Sequence, residues 1–158
     1  MAPESKARRT VLVVDDEPVV LDVLTVALRR GGFTPVCATT AEAALKILAG
    51  ESVSALLTDK NLPGKNGLEL IREARRLSPY CACLLMTGYP NTESVVEAMR
   101  LGANDYLEKP FSELGLVVTR LKAALDHQQV LQERAALVEG LRAMETAMKS
   151  RDKEVFAN

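Results

Sequence analysis

Five short apolar runs alternate with amphipathic segments over residues 10–112, and this alternation limits the folds that are open to the chain. The run at 10–14 precedes a segment at 18–30 in which Val20, Leu24 and Leu28 fall on one helical face. Short strands that are each followed by a helix pack as a parallel sheet covered on both faces. The pattern therefore predicts a doubly wound α/β fold with a five-stranded parallel sheet in (βα)5 order. The predicted strands are 10–14, 33–38, 54–58, 81–86 and 104–108, and the predicted helices are 18–30, 41–49, 66–77, 92–101 and a last helix from Ser112.

Polar side chains collect where the predicted strands end. Asp15 and Asp16 follow the first strand, Asp59 follows the third, Thr87 the fourth and Lys109 the fifth. In a doubly wound sheet, ligands bind beyond the carboxyl ends of the strands, so these side chains are expected to meet in one cleft. Neighbouring strand ends lie about 5 Å apart, and two carboxylates about 4 Å apart repel by roughly 4 kcal/mol at an effective dielectric near 20. A hard divalent cation relieves that repulsion, and carboxylates with water and phosphate oxygens suit Mg²⁺.

The chemistry of the acidic residues indicates phosphoryl transfer. Asp16 and Asp59 are the best direct ligands for Mg²⁺, and Asp15 would act directly or through water. Glu17 is interpreted as a charge favoured by the dipole at the start of the first helix. Asp59 is also the natural nucleophile, because a carboxylate beside a metal can attack phosphorus and form an acyl phosphate.

The polar residues after the last two strands complete this hypothesis. Lys109 precedes Pro110, which favours an extended backbone, so its ammonium can point into the cleft and balance the charge of a transferred phosphoryl group. Thr87 either caps the helix that follows or donates its hydroxyl to a phosphoryl oxygen. Tyr106 is either a core residue or a ring that changes position when Thr87 moves.

The segments VLVVDDEP, LLTDKNLPGKNGLEL and LLMTGYPNTESVVEAMRLGANDYLEKPF resemble the response-regulator receiver domain of two-component signalling. The resemblance covers about residues 9–124, implies a flavodoxin-like fold, and is closest to receivers of nitrogen-regulatory type. It implies that Asp59 accepts a phosphoryl group from a histidine kinase or a phosphotransfer protein. The site that it implies has Mg²⁺ on Asp15, Asp16, Asp59 and the backbone carbonyl of Asn61, the phosphoryl group on Thr87 and Lys109, a switch made of Thr87 and Tyr106, and a cis Lys109-Pro110 peptide bond.

The last predicted helix is too long to belong to the sheet domain alone. It runs from Ser112 to about Glu154, and its first half carries apolar residues that would cover the sheet. Its second half continues a heptad-like seam, and such a stripe usually packs on another helix. We therefore interpret 125–158 as a helical extension that forms a coiled coil, with a homodimer favoured over a different partner protein or a frayed end. The seam consists of Val130, Leu137, Leu141, Met144 and Met148, broadened by Leu131 and Val138 and interrupted by Arg134.

Composition excludes several classes of function. The formal net charge is −1, from 20 basic and 21 acidic residues, so no global basic field draws the chain to nucleic acid or anionic lipid. Direct binding to nucleic acid or membrane is therefore not expected. No apolar signal core follows the first ten residues and no stretch could span a bilayer, which favours a cytoplasmic protein with a flexible N-terminus at 1–8.

The cysteines and the histidine offer no second chemistry. Cys37, Cys81 and Cys83 form no CxxC pair and are expected to be small buried residues. His127 is the single histidine and is expected to face solvent. One histidine without a local partner supports neither a zinc cluster nor a serine triad.

The leading hypothesis is a response regulator that accepts a phosphoryl group without being an enzyme in its own right, apart from autodephosphorylation. Phosphorylation would switch protein interaction or dimerisation through the C-terminal helix. A receiver fragment of a larger transcriptional regulator and a Mg²⁺-dependent phosphatase remain open. Haloacid-dehalogenase-like phosphatases carry Asp-x-Asp after the first strand, whereas the acids here are adjacent. A flavin or nucleotide binder would need a Gly/Ser-rich loop where DDEP stands.

Overall fold

The computed structural model describes residues 9–157, with side chains described as far as Arg151. Five strands alternate with five helices in this part of the chain, which confirms the predicted order. The predicted flexibility of residues 1–8 lies outside the described residues. The strands are β1 Thr10–Val14, β2 Thr34–Ala38, β3 Ala55–Asp59, β4 Ala82–Thr87 and β5 Asp105–Glu108, and the helices are α1 Pro18–Arg30, α2 Ala41–Gly50, α3 Gly67–Leu77, α4 Thr92–Arg100 and α5 Leu114–Ala157.

The strands form one parallel sheet in the order β2-β1-β3-β4-β5. The order reverses after β1, as in a doubly wound sheet, so the fold class is confirmed. The edge strand β2 accommodates Pro35, which has no N–H to donate to a central ladder. Cys37 lies on this edge strand and is exposed, so its predicted burial is wrong, whereas Cys81 and Cys83 are buried as predicted.

Two apolar layers cover the two faces of the sheet. Successive strand residues point to opposite faces, so Leu56 packs in the layer under α2, α3 and α4, while Leu57 packs in the layer under α1 and α5. The central strands β3 and β4 are buried along their whole length. This burial rigidly fixes the carboxyl ends of the strands, where the predicted site lies.

Helix α5 is 44 residues long and extends beyond the sheet domain. At about 1.5 Å per residue, a helix of this length measures roughly 66 Å. Its last buried residue among the described side chains is Gln128, and the residues after it are exposed apart from the half-buried Ala135. No helix within residues 9–157 combines the length and the apolar character that a membrane span requires.

Candidate functional site

The site is built at the carboxyl ends of β1, β3, β4 and β5. Asp15 follows β1, and Asp59 and Thr87 are the last residues of β3 and β4. All three are buried, with exposed fractions of 0%, 7% and 1%. Because β1 and β3 pair directly, Asp15 and Asp59 emerge side by side. The backbone N–H of Lys109 donates to the carbonyl of Thr87 at 2.8 Å, which fixes the start of the loop after β5.

Lys109 brings the two buried carboxylates together. Its Nζ lies 2.6 Å from Oδ2 of Asp15 and 3.2 Å from Oδ1 of Asp59, and its side chain is only 16% exposed. The other oxygen of Asp15 accepts a hydrogen bond from the backbone N–H of Glu17 at 2.9 Å. The Lys109-Pro110 peptide bond is cis. A buried ion pair shared by three groups thus occupies the cleft.

Burial and the neighbouring charges shift the pKa values of both Asp59 and Lys109. Burial raises the pKa of Asp59, the Lys109 ammonium opposes that shift, and the carboxylates of Asp15 and Asp16 add to it. Burial lowers the pKa of Lys109, but its hydrogen bond with Asp15 and the nearby negative charges outweigh burial and raise it. Asp59 is therefore a poorly solvated carboxylate whose charge is incompletely neutralised by the protein.

The oxygen atoms around the cleft match what a hard divalent cation requires. Carboxylate oxygens of Asp15, Asp16 and Glu17 lie within 4.8 Å of one another, and carboxylates that are partly open to water suit Mg²⁺. This cluster includes Glu17 and leaves out Asp59, which pairs with Lys109 instead. Glu17 is the N-cap of α1 but makes no capping bond with its side chain, so its carboxylate is not used by the helix. The sequence interpretation gave Glu17 only the role of a charge at the start of the helix, although its position directly after Asp15 and Asp16 was the available signal for this cluster.

The backbone after Asp59 depends on a glycine that sequence reasoning missed. Gly67 begins α3, and its N–H donates to the carbonyl of Lys60 at 2.8 Å. A Cβ atom at position 67 would lie 2.1 Å from the carbonyl oxygen of Asp59. The loop can fold back on the strand end only because no side chain is present there. A glycine in the first turn of the helix predicted at 66–77, where it is a poor helix former, is the signal that could have identified this residue.

The remaining predicted residues are arranged around the same cleft. The hydroxyl oxygen of Thr87 accepts a hydrogen bond from the N–H of Tyr89 at 3.2 Å, so it orders the turn after β4. Tyr106 pairs with Leu85, two residues before Thr87, and its half-buried ring packs on the apolar layer under α4. Asn61 is exposed in the loop after Asp59. The role of each of these residues stays a prediction.

A second polar network lies at the opposite end of the strands. The guanidinium of Arg75 donates to the carbonyls of Gly102, Pro79 and Cys81 and to the Oδ1 of Asn104. Oδ1 of Asn104 also accepts from the N–H of Cys83 at 2.9 Å, and its amide donates to Oε1 of Gln128 on α5 at 2.9 Å. This network fastens α5 to the sheet and has no access to the cleft.

Comparison with known proteins agrees with this geometry. The family model described as response regulator receiver domain matches residues 11–122. The response regulator protein FleR of Pseudomonas aeruginosa is 42% identical over 107 residues, which is 68% of this chain and 23% of FleR. An NtrX-like response regulator of Rickettsia bellii is 35% identical over 125 residues, which is 78% of this chain and 26% of that protein. The chain thus spans about a quarter of the length of these relatives.

A solved structure gives the same fold. The crystal structure of a response regulator protein from Burkholderia pseudomallei with a phosphorylated aspartic acid, calcium ion and citrate matches with a TM-score of 0.68 and 29% identity, over 78% of this chain and 72% of that one. The fold and the site define a receiver domain. The chain belongs to the response regulator receiver family, and its similarity to an NtrX-like protein agrees with the predicted likeness to nitrogen-regulatory receivers.

Proposed function

We propose that this chain accepts a phosphoryl group on Asp59 from the phosphohistidine of a histidine kinase or phosphotransfer protein, in a reaction that requires Mg²⁺. The carrying observation is the placement of the Asp59 carboxylate, buried at the end of β3 and 3.2 Å from the Nζ of Lys109. A nucleophilic carboxylate next to a fixed cation can both attack phosphorus and hold the transferred charge.

In the transfer, an oxygen of Asp59 attacks phosphorus, the P–O bond forms, and the P–N bond to the donor histidine breaks. The electron pair of the broken bond stays on the imidazole nitrogen of the donor. Lys109, which balances Asp15 and Asp59 before transfer, would then bind a phosphoryl oxygen. The hydroxyl of Thr87, at the end of the neighbouring strand, would donate its proton to a second phosphoryl oxygen, while its own oxygen accepts from the N–H of Tyr89.

The acidic cluster supports the metal requirement. Asp15 and Asp16, with Glu17 or Asp59 and the carbonyl of Asn61, would hold Mg²⁺ near the acceptor. When bound, Mg²⁺ neutralises developing negative charge on the phosphoryl oxygens. The Burkholderia pseudomallei relative carries a phosphorylated aspartic acid and a calcium ion, which supports an acidic site that combines a divalent cation and an acyl phosphate.

The output of this switch is proposed to pass through the C-terminal helix. Phosphorylation adds about −1.5 to −2 charge at Asp59, and Thr87 and Tyr106 would move towards it. The proposal keeps a receiver at 9–124 and a helical extension at 125–158; α5 is buried on the sheet domain as far as Gln128, four residues beyond that boundary, which supports a division close to it. We propose that phosphorylation alters homodimerisation or partner binding through this extension, and that the protein acts in the cytoplasm.

Mass spectrometry of the intact protein tests the acceptor. After incubation with Mg²⁺ and acetyl phosphate, the parent protein is expected to gain one phosphoryl group, roughly 80 Da. Asp59→Asn should gain none, whereas the control Asp22→Asn, at an exposed position on α1, should gain one. An equal adduct on Asp59→Asn would show that the acceptor is another residue. Absence of an adduct on the parent, together with absence of beryllium trifluoride binding, would reject the phosphoryl switch.

The second candidate function is that of a receiver domain within a longer regulatory protein. The chain spans about a quarter of FleR and of the NtrX-like relative, so it could serve as the receiver part of a larger regulator. Direct nucleic-acid binding would then belong to residues outside this chain. Reading the open reading frame around the gene distinguishes this candidate from a free-standing switch.

A further inference from the structure

The second half of α5 carries an exposed apolar seam. Its five main residues are 53% to 69% exposed, and they follow each other at steps of seven, four, three and four residues. Such steps place side chains on one stripe of a helix. This tail seam consists of Val130, Leu137, Leu141, Met144 and Met148.

The tail seam faces away from the receiver body. Gln128 is the last described residue of α5 that is buried on the sheet domain, and its side chain bonds Asn104; the next residue, Gln129, makes one exposed bond with Arg9. Val130 and Leu137 follow it by two and nine residues, which places them about 180° to 200° around the helix axis from Gln128 at about 100° per residue. A second helix can therefore pack along the tail seam without displacing any contact between α5 and the receiver.

The polarity of the seam changes along its length. His127 and Arg134 occupy seam positions in the first part, whereas Leu141, Met144 and Met148 make the last part wholly apolar. An antiparallel pair would place Arg134 against the apolar layers of the other copy. A parallel, in-register pair places each apolar layer against the same layer and leaves the polar layers together. The desolvation of an unpaired charge makes the antiparallel arrangement the costlier one.

Arg134 also has a partner in the parallel arrangement. In a parallel pair, a seam side chain enters a hole formed by four residues of the facing helix, and for position 134 these are 130, 133, 134 and 137. Glu133 of a second copy therefore lies beside Arg134. Within the described side chains, Arg134 makes no ion pair in the single chain, and Glu133 accepts only an exposed bond from Gln129 at 3.2 Å. Both groups are available for a second copy.

We infer that residues 127–151 pair with the same segment of a second copy as a parallel, in-register coiled coil, in which Arg134 of each copy binds Glu133 of the other. This inference deepens the proposed function, because it rests on the proposed homodimer and gives it a direction and a register. Both receivers then lie at the same end of the dimer, with their phosphorylation sites on the same side. A movement at the start of one α5 would then be transmitted to the coiled coil that the two α5 helices form together.

Disulfide cross-linking of the full chain tests the direction. The exposed Cys37 is first replaced by serine, since Cys81 and Cys83 are buried. In this background, Met148→Cys places a thiol in the seam, and Thr146→Cys places one two residues away, about 200° around the helix. A parallel pair brings the two position-148 thiols into contact, whereas an antiparallel pair centred on 137–144 holds them roughly 20 Å apart. Oxidation is run with and without Mg²⁺ and beryllium trifluoride, and light scattering gives the mass.

The expected result is a covalent dimer that forms at least tenfold faster for Met148→Cys than for Thr146→Cys in one of the two states. A dimer by mass without faster cross-linking at 148 would overturn the parallel register but leave the homodimer intact. A monomer in both states would overturn the inference and the dimer together. The phosphoryl adduct on Asp59 is measured separately, so acceptor function is judged independently of either outcome.

A charge exchange tests the register without cysteines. Arg134→Glu brings four carboxylates of the two copies together and is expected to weaken dimerisation about tenfold, the factor that about 1.4 kcal/mol produces. Adding Glu133→Arg restores opposite charges and should return the dissociation constant to within about threefold of the parent. If the double variant dimerises no better than Arg134→Glu, the pairing of these two residues is wrong.

Discussion

Lys109 holds the site together in the absence of metal, and its removal makes the sharpest test of the geometry. Its Nζ lies 2.6 Å from Asp15 and 3.2 Å from Asp59. At an effective dielectric near 20, these distances correspond to gross attractions of roughly 6 and 5 kcal/mol. Most of that energy offsets the cost of taking three charges out of water. The net loss on removing one member of a buried pair is smaller, about 3 to 5 kcal/mol.

We therefore predict that Lys109→Met lowers the free energy of unfolding by about 3 kcal/mol at neutral pH in buffer free of divalent cations. Methionine keeps most of the side-chain volume, so the loss reports charge and not a cavity. Urea denaturation followed by circular dichroism measures it. Mg²⁺ should recover part of the loss, because a cation bound to the acidic cluster takes over some of the neutralisation of Asp15.

The chain contains a matched control. Lys65 lies 2.8 Å from Glu73, a distance close to that between Lys109 and Asp15, but both side chains are at least one-third exposed. An exposed pair contributes little because water screens it, so Lys65→Met should change stability far less. A second variant, Lys109→Met with Asp15→Asn, removes the orphaned charge and should recover stability. Equal effects of Lys109→Met and Lys65→Met would refute the assignment of Lys109 to a buried charge cluster.

Three further predictions follow from other contacts of the site. Asp59→Asn should raise the free energy of unfolding at neutral pH without Mg²⁺, because the raised pKa of Asp59 means that its ionised form destabilises the folded state. This gain in stability should shrink as the pH falls through the folded-state pKa, and a gain independent of pH would contradict the prediction. Gly67→Ala should cost about 1 to 3 kcal/mol by urea denaturation and impair phosphorylation, since its Cβ would strike Asp59, while Gly140→Ala, at a position open to solvent, should not destabilise. Asn104→Ala should cost about 2 kcal/mol, because the N–H of Cys83 loses its acceptor; hydrogen exchange at that amide is the direct check.

The position of the site was predictable because each predicted strand is a short apolar run with polar residues at its carboxyl end. Each apolar run ends in a polar residue, and parallel strands bring those ends to one edge, so Asp15, Asp59 and Lys109 could be placed together without coordinates. Thr87 was placed at the same edge in the same way, directly after a strand predicted to end at 86, whereas β4 includes Thr87 as its last residue. The long α5 was visible from its uninterrupted helical spacing, although it begins at Leu114 and not at Ser112.

The structural features that the sequence did not predict depend on contacts between residues that lie in different segments of the chain. The collision that a side chain at position 67 would make with Asp59 is set by the path of a loop, which no periodicity encodes. Cys37 is exposed because β2 lies at the edge of the sheet, and the apolar run that predicts β2 does not indicate where that strand lies in the sheet. The network of Arg75 was missed because its four acceptors, three backbone carbonyls and the side-chain oxygen of Asn104, lie in loops outside the helices and strands.

The contacts of α5 with β5 explain how a change at the cleft can reach the tail seam. Strand β5 ends beside Lys109, and α5 is bonded to that strand on both sides of its start: Arg120 donates to the carbonyl of Tyr106 at 2.9 Å and lies 3.7 Å from Asp105, while Gln128 bonds Asn104. In the proposed switch, a shift of the β5 backbone at Tyr106 would move the carbonyl oxygen to which Arg120 of α5 donates. In the proposed switch, α5 would carry that displacement past its last described bonds to the sheet domain, which join Gln128 to Asn104 and Gln129 to Arg9. The tail seam begins at that point, so the proposed switch predicts that the start of α5 couples phosphorylation to the pairing of two copies.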